Sequence, residues 1–552
     1  MEKTLSSGNP QNQSEASQPK KSQSGQLIPA VLRPGNYMLV RTQEALNKIF
    51  GPSMNPLYYL GAITFLLLWI LIATGTYLYL FYDMTPSGAY KSVQYLTEDQ
   101  KWYGGIIRSM HRYAADGMMI VIAIHIVQVL FSDRFRKYRW VAWISGVAIL
   151  PVIWLEGLTG YFLVWDEVAQ MIAVTSAHIF DALPIFSEPM PRNFLKNDSV
   201  NALLFFIFNY LHLAIPCLLL ILAWIHCMRI SMPVINPPRA VTITILSTLV
   251  VLSIIKPAVS ADPADLSRLV GVMAIDWFYL FPFPLIDWLE LQPAMVWLGG
   301  GLLYAIIFAM PWIISDPVKS KYINPTVGQG TVTITQSDCT GCLLCQKACP
   351  FEAIELNPRL EGAPNEVEAY VVDDLCSECG FCVNTCEVGA ISMGGWSVTE
   401  FQNYIEFLFK NYNKMLVEPV VMAFVCERSF DQKAFFTHEN TRMKCCEEVA
   451  VMTTPCIGVI SPAIVDYSFK MGAEGILVIG CRGLDCHYRE ERRRLKFRDN
   501  LKRDRFMVEK MDDPNIEIML ISPFEKEALK KEIEDFKNAV KVDKSGGRIL
   551  NG

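Results

Sequence analysis

Apolar residues dominate the chain between about residues 58 and 314, in long runs separated by more polar connections. Six runs, near 58–81, 106–131, 140–163, 202–228, 240–258 and 294–314, are long enough to cross about 30 Å of hydrocarbon as helices. The second begins with Arg108, His111, Arg112 and Asp116, so its outer end must be polar or buried in protein. A further stretch, WFYLFPFPLIDW at 277–288, is aromatic and broken by proline; it is too short to span and reads as an interfacial segment. Beyond about residue 415 the pattern changes to alternation. PVVMAFVC and EGILVIGC read as strands, SPAIVDYSFKMGA and FEKEALKKEIEDFKNAV as helices, which predicts a small α/β layer fold.

Loop charge orients the spans. DRFRKYR (133–139), Arg229, Arg239, Lys319 and Lys321 fall on one side. Asp83, Asp166, Glu167, Asp181, Glu188, Asp262 and Asp265 fall on the other. Lysine and arginine favour the cytoplasmic face. The expectation is a multi-pass protein of the inner (cytoplasmic) membrane, with both termini and everything after residue 316 in the cytoplasm. Residues 1–30, rich in Ser, Gln, Asn and Lys, read as a disordered tail without a cleavable signal peptide.

Composition sharpens this picture in two places. The net charge of −6 gives no reason to expect nucleic acid as a partner. Of 16 cysteines, 14 lie at or beyond Cys339, which points to metal or cluster ligation in a reducing compartment and away from a disulfide scaffold.

The histidines carry the first chemistry. His111 and His125 bracket part of the second span, and His212 and His226 bracket part of the fourth, both at a spacing of 14. On a helix 14 residues make nearly four turns and rise about 21 Å, so the two imidazoles of each span face almost the same way. With both spans running inward, His111 opposes His212 and His125 opposes His226. Neutral imidazoles in hydrocarbon need a reason, and haem iron supplies one. The chain has seven histidines, and four of them fall in this arrangement, which weighs against four unrelated core residues. Gly61 and Gly75 on the first span, and Gly146 and Gly160 on the third, repeat the spacing of 14 and would leave room for the same two macrocycles.

With GGIIRSMH (104–111) and TGYFLVW (159–165), these pairs make residues 36–316 resemble cytochrome b of the bc-type quinol oxidoreductases. The resemblance implies two b haems, with Arg108 matching an arginine that pairs with a propionate of the outer, low-potential haem. It also implies an outer quinone site, marked in that family by Pro-Glu-Trp-Tyr. Here the matching stretch is IDWFYLF (275–281), so Asp276 stands for the glutamate and Trp277 for the tryptophan. Asp276 is one methylene shorter, and Phe278 lacks the hydroxyl. A carboxylate there is either a general base for a quinol proton or an interfacial loop residue. Glu156, inside the third span, is either a proton relay or quinone ligand, or a hydrogen-bonding group of the bundle.

CTGCLLCQKACP (339–350) and CSECGFCVNTCE (376–387) share the spacing C-x2-C-x2-C-x3-C and resemble a bacterial two-cluster ferredoxin. That resemblance implies one [4Fe–4S] cluster on Cys339, Cys342, Cys345 and Cys386. It implies a second on Cys376, Cys379, Cys382 and Cys349. Further on, GAEGILVIGCRGLDCHY (472–488) resembles the delta subunit of methyl-viologen-reducing hydrogenases, a [2Fe–2S] protein. Cys426, Cys456, Cys481 and Cys486 would hold that cluster; Ser429 replaces one family cysteine, and the adjacent Cys445 and Cys446 either substitute or are inert. The basic run at 489–505 is either a solvated helix face or a docking surface.

The expected architecture is multidomain. After the tail (1–30) come an all-α six-helix transmembrane cytochrome b bundle (36–322) and an α+β bacterial ferredoxin-like module (331–396). A small α/β C-terminal domain like the hydrogenase delta subunit (415–545) completes it. The expected function is membrane-bound electron exchange between the quinone/quinol pool and a cytoplasmic partner, a flavin or heterodisulfide-reductase-like protein, within a multisubunit, bc-like respiratory complex that is a candidate dimer. A full cycle would need a Rieske or multihaem cytochrome c subunit. The competing reading is a conducting anchor with catalysis in partner subunits.

Overall fold

The computed structural model describes residues 30–51, 53–136, 139–183, 200–228, 234–268, 279–283, 286, 292–314, 332–359, 366–373, 375–394, 396–410, 419–427, 429, 435–437, 441–460, 462–481, 515–521 and 526–545. The chain divides into two compact units, one within Ile28–Pro317 and one within Val318–Gly552.

The first unit is helical. An amphipathic helix, α1 (Arg33–Phe50), leads through a 3-10 turn capped by Asn55 into α2 (Leu60–Tyr79). A short helix α3 (Ala89–Glu98) and a single π turn (Lys101–Gly105) then feed α4 (Ile106–Phe131). Next come α5 (Trp140–Val164), α6 (Glu167–Phe180), α7 (Ala202–Met228), α8 (Arg239–Ile255) and α9 (Pro293–Ile313). Among the described residues five helices are long and apolar enough to cross a membrane: 56–79, 101–131, 140–164, 202–228 and 293–313. The fifth of the six expected spans, α8, has 17 residues, which rise only about 25 Å against the roughly 30 Å needed. Half of the segment expected at the interface, 277–288, lies outside the described residues.

Helices α2 and α4 pack together, as do α5 and α7. The loop after α8 is latched to the start of α6. Asp166 is buried; one of its carboxylate oxygens accepts from Ala169 N and the other from Ala261 N, each at 3.0 Å. Gln170 donates to the carbonyls of Asp265 (2.9 Å) and Arg268 (3.0 Å) and accepts from Asp265 N (2.8 Å). A carboxylate that caps a helix and also pins a distant loop satisfies backbone donors that would otherwise be stranded.

Among its described residues the second unit contains two antiparallel ribbons and one parallel sheet. Strand β1 (Val332–Ile334) pairs with β4 (Ile391–Met393), and β2 (Ile354–Pro358) with β3 (Val367–Val371). Helix α10 (Leu344–Ala348) lies between β1 and β2, and α11 (Val398–Lys410) follows β4. The sheet runs β6 (Val449–Thr454), β5 (Val421–Cys426), β7 (Gly475–Cys481), β8 (Ile516–Ile521), all parallel. Helices α12 (Pro462–Lys470) and α13 (Lys526–Ser545) complete it. Every residue of β5 and β6 is buried, as parallel strands covered on both faces must be.

Alternate residues of those strands serve different cores. Ala423 and Val425 face Leu529 and Ile533 of α13. Met422 and Phe424 join Phe401 and Ile405 of α11, and with them Ile391 and Met393 of the cysteine-rich module. The two stretches drawn separately in the sequence, 331–396 and 415–545, therefore share one continuous apolar core.

Candidate functional site

In the membrane unit the histidines and glycines fall into two layers. In one layer, a Cβ added to Gly75 or to Gly160 would come within 3.0 Å of the ring of His111 or His212 respectively. In the other, Gly61 lies against His125 (3.8 Å) and Gly146 against His226 (3.1 Å). Four turns of helix separate the layers, about 21 Å. The close neighbour of each glycine is thus an imidazole. The space saved by the missing side chain lets the α2 and α5 backbones approach the histidine rings.

His111 and His212 are brought together across the bundle, with ring centres 6.4 Å apart. Two metal–nitrogen bonds of about 2 Å each, with the rings beyond them, span about 6.3 Å, so this gap accommodates one iron with an imidazole on each side. The far nitrogen of three rings is held by a hydroxyl. Thr74 Oγ1 lies 2.9 Å from His111 Nδ1, Thr159 Oγ1 3.0 Å from His212 Nδ1, and Ser145 Oγ 3.0 Å from His226 Nδ1. Each hydroxyl in turn donates to a backbone carbonyl of its own helix: Ile70, Glu156 and Ala142 respectively. An Nδ1–H donated away fixes the tautomer that leaves Nε2 free for a metal. These hydroxyl residues escaped sequence reasoning, although each immediately precedes one of the four spaced glycines.

Arg108 sits one turn before His111, donating to Thr97 Oγ1 and, at 2.7 Å, to Ser260 Oγ. Glu156 places Oε1 3.1 Å from His212 Nδ1. Asp276 and Trp277 lie outside the described residues. Their neighbour Tyr279 is buried with its ring against Gly157, where any Cβ would collide with it at 2.1 Å. Its hydroxyl donates to Ala115 O (3.2 Å), and its carbonyl accepts from Trp154 Nε1 (3.0 Å). That anchor on α4 and α5 was not read from the sequence.

In the second unit the two cysteine loops share a backbone signature. Left-handed residues occur two and four positions after the first cysteine of each: Gly341 (φ 63°) and Leu343 (φ 65°), Glu378 (φ 55°) and Gly380 (φ 78°). Alternation into the left-handed region turns successive amides inward, a concavity suited to anionic sulfur. The thiols assemble as two sets. Burial pushes the Cys345 thiol up to about 11, with Cys342, Cys339 and Cys386 adding to the shift. Burial likewise raises Cys376 to about 11, beside Cys379 and Cys349, and raises Cys382 beside Cys379, Cys349 and Cys376, with Cys345 of the first set also adding to it. Cys345, Cys376 and Cys382, which burial keeps from ionising alone, are donors that a cationic iron cluster would stabilise. A cavity is lined by Cys349, Cys376, Cys379 and Cys382 together with Phe351 and Phe381. Among the described residues no group of His, Cys, Asp or Glu converges tightly enough for a single metal ion, whereas thiols spaced around a cavity fit a polynuclear cluster.

In the parallel sheet, Cys426 ends β5, Cys481 ends β7, and Cys456 follows β6 by two residues, all three buried. Their common position at the carboxyl edge is where parallel sheets present ligands. Cys426 Sγ is 3.6 Å from Cys481 Sγ. Cys486 and the basic run 489–505 lie outside the described residues. Ser429 donates its hydroxyl to Cys426 O (2.7 Å), a turn-closing role. Cys445 and Cys446 lie in the turn entering β6; six residues of strand, about 20 Å, separate them from Cys456, so they do not substitute at that edge. Phe381, between Cys379 and Cys382, seats its ring on Gly458, two residues past Cys456, with no room for a Cβ. The second cysteine loop and the sheet's cysteine edge are in direct contact.

Comparison with known proteins matches three segments in chain order. The cytochrome b/b6/petB family pattern matches residues 46–232, the 4Fe-4S dicluster domain 338–391, and the methyl-viologen-reducing hydrogenase delta subunit 421–542. Cytochrome b6 of Synechococcus sp. (strain CC9605) is 31% identical over 193 residues, covering 35% of this chain and 88% of that protein. Cytochrome b6 of Prochlorococcus marinus (strain MIT 9515) is 30% identical over 198 residues, covering 36% and 90%. A solved structure titled hyperthermophilic respiratory Complex III is 18% identical, with a TM-score of 0.39, over 47% of this chain and 75% of that one.

Proposed function

The chain belongs to the cytochrome b/b6 family, and on that premise we propose that it exchanges electrons between the membrane quinone pool and a cytoplasmic redox partner. His111 with His212, and His125 with His226, would hold two b haems, Arg108 would meet a propionate of the outer one, and Gly61, Gly75, Gly146 and Gly160 would keep the helices close around them. Cys339, Cys342, Cys345 and Cys386 would hold one [4Fe–4S] cluster; Cys349, Cys376, Cys379 and Cys382 would hold the other. Cys426, Cys456, Cys481 and Cys486 would hold a [2Fe–2S] cluster. Haem and clusters supply one-electron chemistry, while the protein sets spacing, polarity and access. The 6.4 Å separation of the His111 and His212 rings carries this reading. The contact of Phe381 with Gly458 supports a continuous route between the second cubane and the sheet's cysteine edge.

In the same reading α8 is a sixth span, the cysteine-rich unit is cytoplasmic, and the chain works in a multisubunit complex of the inner membrane. One detail of the loop charge changes: Arg136 is buried, and Asp133 meets it at 2.6 and 2.7 Å, so the excess there rests on its neighbours. A flavin or heterodisulfide-reductase-like protein would dock at the sheet, and a Rieske or multihaem cytochrome c subunit would complete a quinol cycle.

Asp276 would act as base at the outer quinone site. Asp276→Asn is expected to slow quinol-dependent haem reduction ~100-fold, leaving dithionite-reducible haem unchanged. The shorter Asp276 and the loss of a hydroxyl at Phe278 favour a second reading, a conducting anchor. That reading predicts no quinol-dependent reduction of the isolated chain and no effect of the substitution.

A further inference from the structure

The four histidines have unequal surroundings. The spaced glycine facing His111, His226 or His212 is preceded by a hydroxyl residue that lies against Nδ1: Thr74, Ser145 or Thr159. Only at His212, among the described residues, is a carboxylate also shown beside that nitrogen. Glu156, three residues before Thr159 and so on the same face of α5, aims Oε1 at the same Nδ1 from 3.1 Å. The carboxylate is largely buried (14% exposed), and its other oxygen has no hydrogen-bond partner among the described residues. Its one identified polar engagement is with the imidazole.

We propose that Glu156 is a positioning residue for His212, accepting its Nδ1–H and making one of the two haem sites electronically distinct from the other. The inference rests on the dihaem reading above. A carboxylate on the far nitrogen makes the imidazole a stronger electron donor and fixes its ring. Negative charge close to the iron, in a low-dielectric interior, favours the ferric over the ferrous state. The His111–His212 haem is therefore held at a lower potential than hydroxyl acceptors alone would set. The sequence leaves Glu156 open between a proton relay or quinone ligand and a hydrogen-bonding group of the bundle; its placement beside His212 favours the last.

The test is an anaerobic redox titration of the full chain in detergent, followed optically at the b-haem band and by EPR of the low-spin ferric signals. Glu156→Gln keeps the shape and removes the charge. The expected result is two haems per chain, with one midpoint raised. At fixed potential that haem's reduced-to-oxidised ratio should rise about tenfold, about 59 mV for one electron. One EPR signal should shift and the other stay. Unchanged midpoints, or both moving together, would overturn the inference. Should the glutamine variant lose haem, Glu156→Asp, which withdraws the carboxylate by one methylene, is expected to shift the same midpoint the same way; no shift there overturns it equally. Absence of haem from the unsubstituted chain would instead sink the dihaem reading.

Discussion

Substituting His212 by alanine is expected to remove one of two haems and spare the other. Its ring opposes His111 at 6.4 Å, and the pair would share one iron. Without it that iron keeps one protein ligand, and His111 keeps its contacts to Thr74 and Gly75 with nothing opposite. The other layer, His125 against Gly61 and His226 against Gly146, lies about four turns away and is built from different contacts. Haem per chain should fall to about half, with one EPR signal lost. Alanine at His226 should delete the other signal. Loss of both haems from a chain that still folds would mean that the layers are not independent.

The second large effect is expected at Cys382. It lines the cavity of the second thiol set, is 8% exposed, and belongs to the same apolar core as Phe401, Met422 and Ile460. Cys382→Ser is expected to delete one cubane, about four irons, and with it the EPR signature of one cluster. Because the core is continuous into the parallel sheet, the stability loss, of order 4 kcal/mol, should spread through the whole second unit. Accelerated proteolysis of the sheet checks this. Cys446→Ser, at the opposite end of β6, should leave iron content unchanged.

The sequence showed the long apolar runs because lipid imposes a length, and it showed the histidine and cysteine spacings because ligation imposes a period. It showed β5 and β7 through their apolar, branched runs. It missed β6, VAVMTT, and β8, IEIMLI, whose runs mix apolar residues with threonine or glutamate. The hydroxyls of Thr74, Ser145 and Thr159 become visible as partners only when a second helix brings an imidazole to them. Tyr279 against Gly157 and Phe381 against Gly458 join residues 122 and 77 positions apart, beyond the reach of any local pattern. Glu156 showed itself as a carboxylate in an apolar span, but its partner is on another helix.

The central claim is that two haems lie between α4 and α7. Its most direct test is the haem-to-protein ratio of the purified, detergent-solubilised chain, from the pyridine haemochrome spectrum and quantitative amino-acid analysis. Two b-type haems per chain, resolved as two low-spin signals, is the predicted result. One haem, or none, after reconstitution with excess haem would contradict it.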